Sequence, residues 1–169
     1  MFNLLIVKVD YKYCDYLRKF DYRVSYNKDQ KELRPFVGIL FQIESMEYFA
    51  PLTSPKPKHL KMRNTIDFLR INNGIWGAIN FNNMIPVTKN NYEIIDLNKK
   101  HKAKKDIQYQ ELLNNQYVWL NEHKSEIMNK ANKLYQKYKD NKLPKNIKDR
   151  CCNYLLLEEA CLKYNTMPV

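Results

Sequence analysis

Glycine is nearly missing from this chain: 169 residues contain three, Gly38, Gly74 and Gly77. A loop that cradles phosphates with its backbone needs several glycines close together, and no stretch supplies them. Long apolar runs are missing too. The longest, such as 36–41, fall far short of the roughly 20 residues that cross a bilayer, which excludes a helical membrane protein. The apolar start, 1–7, meets Lys8 and Asp10 before it reaches the length of a secretory core, and no small-residue cleavage site follows, so the expected location is the cytoplasm. Cysteines are few and unevenly spaced. Cys14, Cys151, Cys152 and Cys161 form no C-x-x-C pair and have no nearby histidine to complete a tetrahedral set, so they read as small buried thiols, not as a metal site or a disulfide framework. Acids are outnumbered, 18 Asp plus Glu against 29 Lys plus Arg, leaving a net charge of +11 that suits a polyanionic partner. A/T-rich codons also specify Lys, Asn, Ile and Tyr, so where the charges lie says more than their sum. Finally, there is no H-E-x-x-H, no G-x-S-x-G, no Walker A and no acidic cluster able to hold two magnesium ions, which disfavours metal-assisted hydrolysis. No cofactor and no metal are expected.

What remains is enough for one domain, 1–169. The first 98 residues read mostly as strands and the rest as helices, an α+β order in which an antiparallel sheet is covered by helices. Residues 4–9 suit a strand, and Tyr13, Tyr16, Leu17 and Phe20 fall at helical spacing over 11–20. The runs 36–43 and 47–52 predict an antiparallel hairpin at the centre of the sheet, with Gly38 allowing close approach or a bulge. Three further short runs, 75–81, 84–87 and 92–97, are bounded by Asn-rich or Lys-Asn turns. From Asp106, read as an N-cap, Leu113, Tyr117, Leu120, Ile127, Ala131, Leu134 and Tyr138 mark a long amphipathic helix with room for one break, ending before Pro144. Asn146 is expected to cap a final helix through Leu155, Leu156 and Cys161. Lys99, Lys100, Lys102, Lys104 and Lys105 form a basic connector, read first as a solvated loop.

The densest chemistry lies in PLTSPKPKHLKMR, residues 51–63. Two adjacent hydroxyls, Thr53 and Ser54, precede Lys56, Lys58, Lys61, Arg63 and His59, with no acid until Asp67. Pro55 and Pro57 cannot donate to a central ladder and stiffen the backbone into a loop at the end of a strand. A stiff cationic loop fits a phosphodiester transition state, whose extra negative charge is best met by donors fixed in advance. An ordinary turn decorated with lysines would account for the hydroxyls and charges separately, but not for Pro-Lys alternation beside a histidine, the one side chain that titrates near neutrality. His101 and His123 stand alone and read as surface residues. RNA needs no metal for cleavage, because its own 2′-OH can attack the adjacent phosphate.

This segment, YFAPLTSPK (48–56) running on to His59, resembles the ToxN/AbiQ family of endoribonuclease toxins, the protein halves of type III toxin–antitoxin and phage abortive-infection systems. Three more stretches match in order: YCDYLRKFD (13–21), AINFNNMIPV (78–87) and CNYLLLEE (152–159). The resemblance implies a strongly twisted antiparallel sheet flanked by helices, like MazF and Kid, with long C-terminal helices. It implies metal-independent RNA cleavage leaving a 2′,3′-cyclic phosphate, with A-rich substrates. It also implies inhibition by a repeated, pseudoknotted small RNA that closes with the toxin into a cyclic complex. DNA and membranes are not expected partners. Carried over by motif, Ser54 is the central hydroxyl, Thr53 its neighbour, Lys56 the main cation, and His59 and Tyr13 lie in the RNA groove. Arg34 aligns where the family has a lysine, Gln30 where it has a tyrosine, and Tyr26 offers a stand-in. Arg34 would bind phosphate, since a guanidinium stays protonated at any useful pH. Lys58, Lys61 and Arg63 complete the RNA-binding set. For the base that removes the 2′-proton, Lys56, His59 and Tyr13 all stand open. The alternative is a non-catalytic RNA-binding module using the same loop, or an RNA-dependent assembly protein for which Ser54 is dispensable.

Overall fold

A computed structural model describes residues 2–26 and 34–168. The apolar run LIVKV forms β1 (Leu5–Val9), and Asp10 then caps α1 (Tyr11–Arg18) by accepting the Lys12 N–H at 3.1 Å. The next strands are β2 (Phe36–Gly38), β3 (Gln42–Ile43), β4 (Met46–Thr53), β5 (Phe68–Arg70), β6 (Ala78–Asn80), β7 (Ile85–Val87) and β8 (Tyr92–Ile94). Every pairing is antiparallel, in the order β5-β6-β4-β2-β1-β8, with β3 and β7 also bonded to β4. The α+β expectation and the antiparallel sheet therefore hold.

β4 is the axis. Its first half pairs with β3 and β7, and its second half with β2 and β6. It is buried from Met46 through Leu52, without the alternation of a strand that has one wet face, so both of its faces are covered. The expected hairpin is present but divided. Continuous pairing of 36–43 with 47–52 gives way to β2 on the far half of β4 and β3 on its start, while Leu40 N–H to Tyr48 O and Tyr48 N–H to Phe41 O, both 3.0 Å, hold the chain against β4 across the gap. Of the run 75–81 only β6 is strand, because Gly74 and Gly77 take positive φ and fold 72–77 into a turn.

The long helix is broken once, at His123, into α2 (Lys104–Glu122) and α3 (Lys124–Lys139). Its N-cap is Ala103; Asp106 lies in the first turn, where a carboxylate complements the helix dipole. The final helix is two helices, α4 (Lys145–Arg150) and α5 (Tyr154–Thr166), and Asn146 falls inside α4. Asn153 is the cap that starts α5, its side chain accepting the Leu156 N–H at 3.2 Å. The break between them is held on the sheet side, where Cys152 N–H donates to Asn82 O at 2.8 Å. All four cysteines are buried thiols.

Tyrosine hydroxyls fasten helices to sheet. Tyr48 on β4 and Tyr135 on α3 both donate to Glu158 Oε1 of α5, at 2.6 and 2.7 Å, and Tyr154 donates to Phe81 O at 2.9 Å. Tyr13 does the same for α1. Its hydroxyl donates to Pro86 O at 2.6 Å, its ring meets Tyr164 edge-on, and it is 0% exposed. This corrects the expectation that Tyr13 faces RNA. Burial, reinforced by Cys161, pushes its pKa far upward, so it is a core residue and no proton acceptor.

Candidate active site

Where β4 runs out at Thr53, its register against β6 ends on the pair Thr53–Ala78. Beyond it Ser54, Pro55 and Lys56 are exposed, and Pro57 opens a 3₁₀ turn over Pro57–Leu60. His59 folds back as the brace of that turn. Its backbone N–H donates to Lys56 O at 2.9 Å, and its Nδ1 accepts the Lys56 N–H at 3.2 Å, so the ring proton sits on Nε2. Burial, with the Lys58 and Lys56 charges beside it, lowers the His59 pKa and keeps the imidazole neutral at neutral pH. At 1% exposure, His59 shapes the loop more than it meets solvent.

The turn at 72–77 supports the loop from beneath. A Cβ at Gly77 would lie 1.9 Å from Thr53 O, and one at Gly74 would lie 2.4 Å from His59 O, so backbone packs directly on backbone at both ends of the cationic segment. Both glycines also hold φ above +90°, where side chains are strained. Arg70 fastens the same parts together, its Nη1 donating to Leu60 O at 3.2 Å and Asn73 O at 3.4 Å. Gly77→Ala is therefore expected to cost at least about 2 kcal/mol of stability, by strain plus displacement of the Thr53 carbonyl, and to lower RNA cleavage more than the lost folded fraction explains. Urea unfolding and single-turnover cleavage on the same preparation check it.

Beside the loop opens a cleft of about 340 Å³, lined by Thr53, Lys58, His59 and Arg63 from this segment and by Asn80, Asn82, Asp67 and Arg150 from elsewhere. The Thr53 hydroxyl is hydrogen-bonded to the Asn80 side-chain amide. Asp67, 2% exposed, holds Arg150 in a bidentate pair, Oδ2 to Nε at 2.5 Å and Oδ1 to Nη2 at 2.7 Å, and also accepts from Thr65 Oγ1 at 2.9 Å. Burial alone would raise the Asp67 pKa; the Arg150 and Thr65 hydrogen bonds outweigh it, and the carboxyl lies below its usual range. The one carboxylate that lines the cleft among the described residues is thus neutralised in place, leaving Lys58 and Arg63 exposed to act on an anion.

Ser54, Lys56 and Lys61 are exposed and stand outside that lining, on the loop next to it. Arg34 is brought to the same end of the sheet: the register that pairs Phe36 with Pro51 continues through Leu52 N–H to Pro35 O at 2.9 Å, which sets the Arg34 backbone opposite Thr53. Gln30 lies outside the described residues. Tyr26 stacks with Arg18, its ring centroid 4.8 Å from the guanidinium carbon. The loop is legible in the sequence as a candidate site, whereas Asn80, Asp67 and Arg150 beside it are not. Asn80 sits in the matched stretch 78–87, where a signal existed; nothing local marks Arg150.

Comparison with known proteins identifies the family. Residues 5–162 match the model of the family described as toxin ToxN, type III toxin–antitoxin system. The chain is similar to the endoribonuclease ToxN of Bacillus thuringiensis subsp. kurstaki, 36% identical over 157 residues, covering 90% of this chain and 80% of that one. Among solved structures it superposes on a type III toxin inhibited by a non-coding RNA pseudoknot, with a TM-score of 0.82 at 33% identity, covering 98% of this chain and all of the other. AbiQ, a lactococcal anti-phage endoribonuclease of the same type of system, gives a TM-score of 0.82 at 25% identity over 98% of this chain and all of the other. A family match across nearly the whole length, with a relative 36% identical over 90% of the chain, places the chain in the ToxN family of type III toxin–antitoxin toxins.

Proposed function

We propose that this protein is an endoribonuclease toxin that cleaves RNA by transesterification, without a metal, and that a cognate RNA antitoxin holds it inactive, as in phage defence by abortive infection. The carrying observation is the loop 53–63: hydroxyls and cations fixed by prolines, by the His59 brace and by two glycines beneath, next to a cleft whose only lining carboxylate among the described residues is spent on Arg150. The relatives' names as endoribonucleases support the reading.

In the proposed reaction the substrate 2′-oxygen forms a bond to the adjacent phosphorus and its proton leaves to a base. The bond from phosphorus to the 5′-oxygen breaks, and that oxygen takes up a proton. One product ends in a 2′,3′-cyclic phosphate and the other in a 5′-hydroxyl. Between the two, the non-bridging oxygens carry added negative charge. Ser54 and Thr53 hydroxyls donate to them and Lys56 offsets the charge, while Arg34, Lys58, Lys61 and Arg63 hold flanking phosphates. His59, neutral and with Nδ1 occupied, contributes by fixing the Lys56 backbone. The antitoxin RNA would occupy the same cationic surface, toxin and RNA closing into a ring in the cytoplasm.

Cleavage is expected to persist in excess chelator, and an RNA with hydrogen in place of the scissile 2′-OH is expected to resist cleavage at that position while still binding. End-group analysis of the product checks the cyclic phosphate. Cleavage of the deoxy substrate at the same position would make water or a side chain the nucleophile, and binding with no cleavage of any RNA would leave a binding module.

A further inference from the structure

Thr53 and Asn80 meet because of strand register. Thr53 is paired with Ala78 across β4 and β6, and Asn80, two residues further along β6, lies diagonally opposite on the same face of the sheet. Asn80 is in turn paired with Phe68 of β5, so its backbone is held from the far side as well. Both side chains line the cleft beside the cationic loop, and both are half-buried. Asn80 Nδ2 donates to Thr53 Oγ1, and the Asn80 side chain has no other hydrogen-bond partner among the described residues. A threonine hydroxyl carries one proton and two lone pairs, and it rotates to suit its partners. With an amide N–H on its oxygen the proton must point elsewhere, and no described residue accepts it. Thr53 lines the cleft, so that proton is left for whatever enters. An amide oxygen in the same place would capture it instead.

We infer that Asn80 is a positioning residue for RNA cleavage: its amide holds the Thr53 oxygen so that the hydroxyl proton points at a phosphate in the cleft. This rests on the proposed reaction, in which the Thr53 hydroxyl donates to a non-bridging oxygen. A hydroxyl free to turn donates part of the time to water and must reorganise as charge develops, whereas one whose acceptor side is filled is already turned. The branched Cβ of threonine leaves few χ1 settings, so the amide has little besides the proton to fix. Lys58 and Arg63 can draw a phosphate into the cleft, but their charge does not set the direction of the hydroxyl. Asn80 supplies direction and no charge, so its effect falls on the rate and not on the salt-dependent binding of RNA.

The test is a mutant cycle on the full chain, read as single-turnover cleavage at saturating RNA, RNA Kd and urea unfolding. Asn80→Ala is expected to lower the saturating rate by roughly 10- to 100-fold, the range for groups that orient metal ligands, with Kd nearly unchanged. In a Thr53→Val background the same substitution is expected to cost no more than about twofold, because the hydroxyl it acts through is already gone. In a Thr53→Ser background, which keeps the hydroxyl, the loss is expected to return. An unchanged saturating rate for Asn80→Ala overturns the inference, and a weaker Kd alongside it would make Asn80 an RNA contact. An equal loss in the valine background also overturns it, since a merely structural residue acts whether or not the hydroxyl is there. If Asn80→Ala fails to fold, Asn80→Asp keeps the size of the amide while its carboxylate, an acceptor only, takes the Thr53 proton. Its loss of rate is then expected to be at least about tenfold greater with threonine at 53 than with valine. Normal cleavage by Thr53→Val rejects the role of Asn80 and leaves the nuclease reading standing; an unaltered protein that cuts no RNA rejects both.

Discussion

Ser54→Ala is expected to lower the single-turnover rate of RNA cleavage by about 10² to 10³, the usual cost of removing one preorganised donor from an oxyanion site. Ser54 is exposed and beyond the last ladder pair of β4, so its loss is expected to move stability by less than about 0.5 kcal/mol. RNA affinity should be nearly unchanged, because a neutral hydroxyl releases no counterions. The variant would therefore bind RNA, fold and fail to cut, and a bacterium should tolerate its expression without antitoxin. Thr53→Val serves as the comparison. Its hydroxyl is tied to Asn80 at the edge of the sheet, so this variant is expected to lose some stability along with activity. Full cleavage by Ser54→Ala would remove that residue from the mechanism.

Lys56→Ala is expected to lower kcat by about 10² to 10⁴, as for groups that move a proton or meet charge in the transition state, with a much smaller change in Kd. The contrast is with Lys58, Lys61 and Arg63. A cation that only positions phosphate contributes by counterion release, so each of those alanine variants should flatten the log–log salt dependence of binding by about 0.7 and keep turnover at saturating RNA. The structure sharpens the distinction. The Lys56 backbone is fixed on both sides by His59, which donates to its carbonyl and accepts from its N–H, while Lys61 lies past the end of the turn. If Lys56→Ala cleaves normally once saturated, it is a phosphate clamp like the others.

The legible parts of this fold are those written locally. Prolines at 55 and 57 mark the end of β4 from sequence alone, and the long amphipathic pattern gives α2 and α3 with their break. β5 was missed because three residues between Asp67 and Ile71 offer no period to read. The apolar positions of the final helix were legible and its beginning was not: Asn146 and Asn153 are equally good caps in isolation, and the choice is made by the contact of Cys152 with Asn82, 70 residues away. Tyr13 shows the reverse error. Its spacing with Tyr16 and Leu17 marks a buried helix face, which is what the structure has, and the groove role carried over by resemblance set that periodicity aside. In the candidate site, local sequence supplies the hydroxyls and cations, while long-range partners, Gly77 under Thr53 and Arg150 on Asp67, supply their packing.

Arg150 has a further consequence through its place in the order of synthesis. Domains take shape as the chain emerges, N-terminal parts first, at about 5 to 20 residues per second. β4 and the cationic loop leave the ribosome early, yet the cleft wall that pairs Asp67 and receives Cys152 against Asn82 comes from near residue 150. A carboxylate beside Lys58 and Arg63 that lacked its guanidinium would repel a phosphate entering the cleft. The pair that neutralises the Asp67 carboxylate is thus completed only when 150 of the 169 residues have been made.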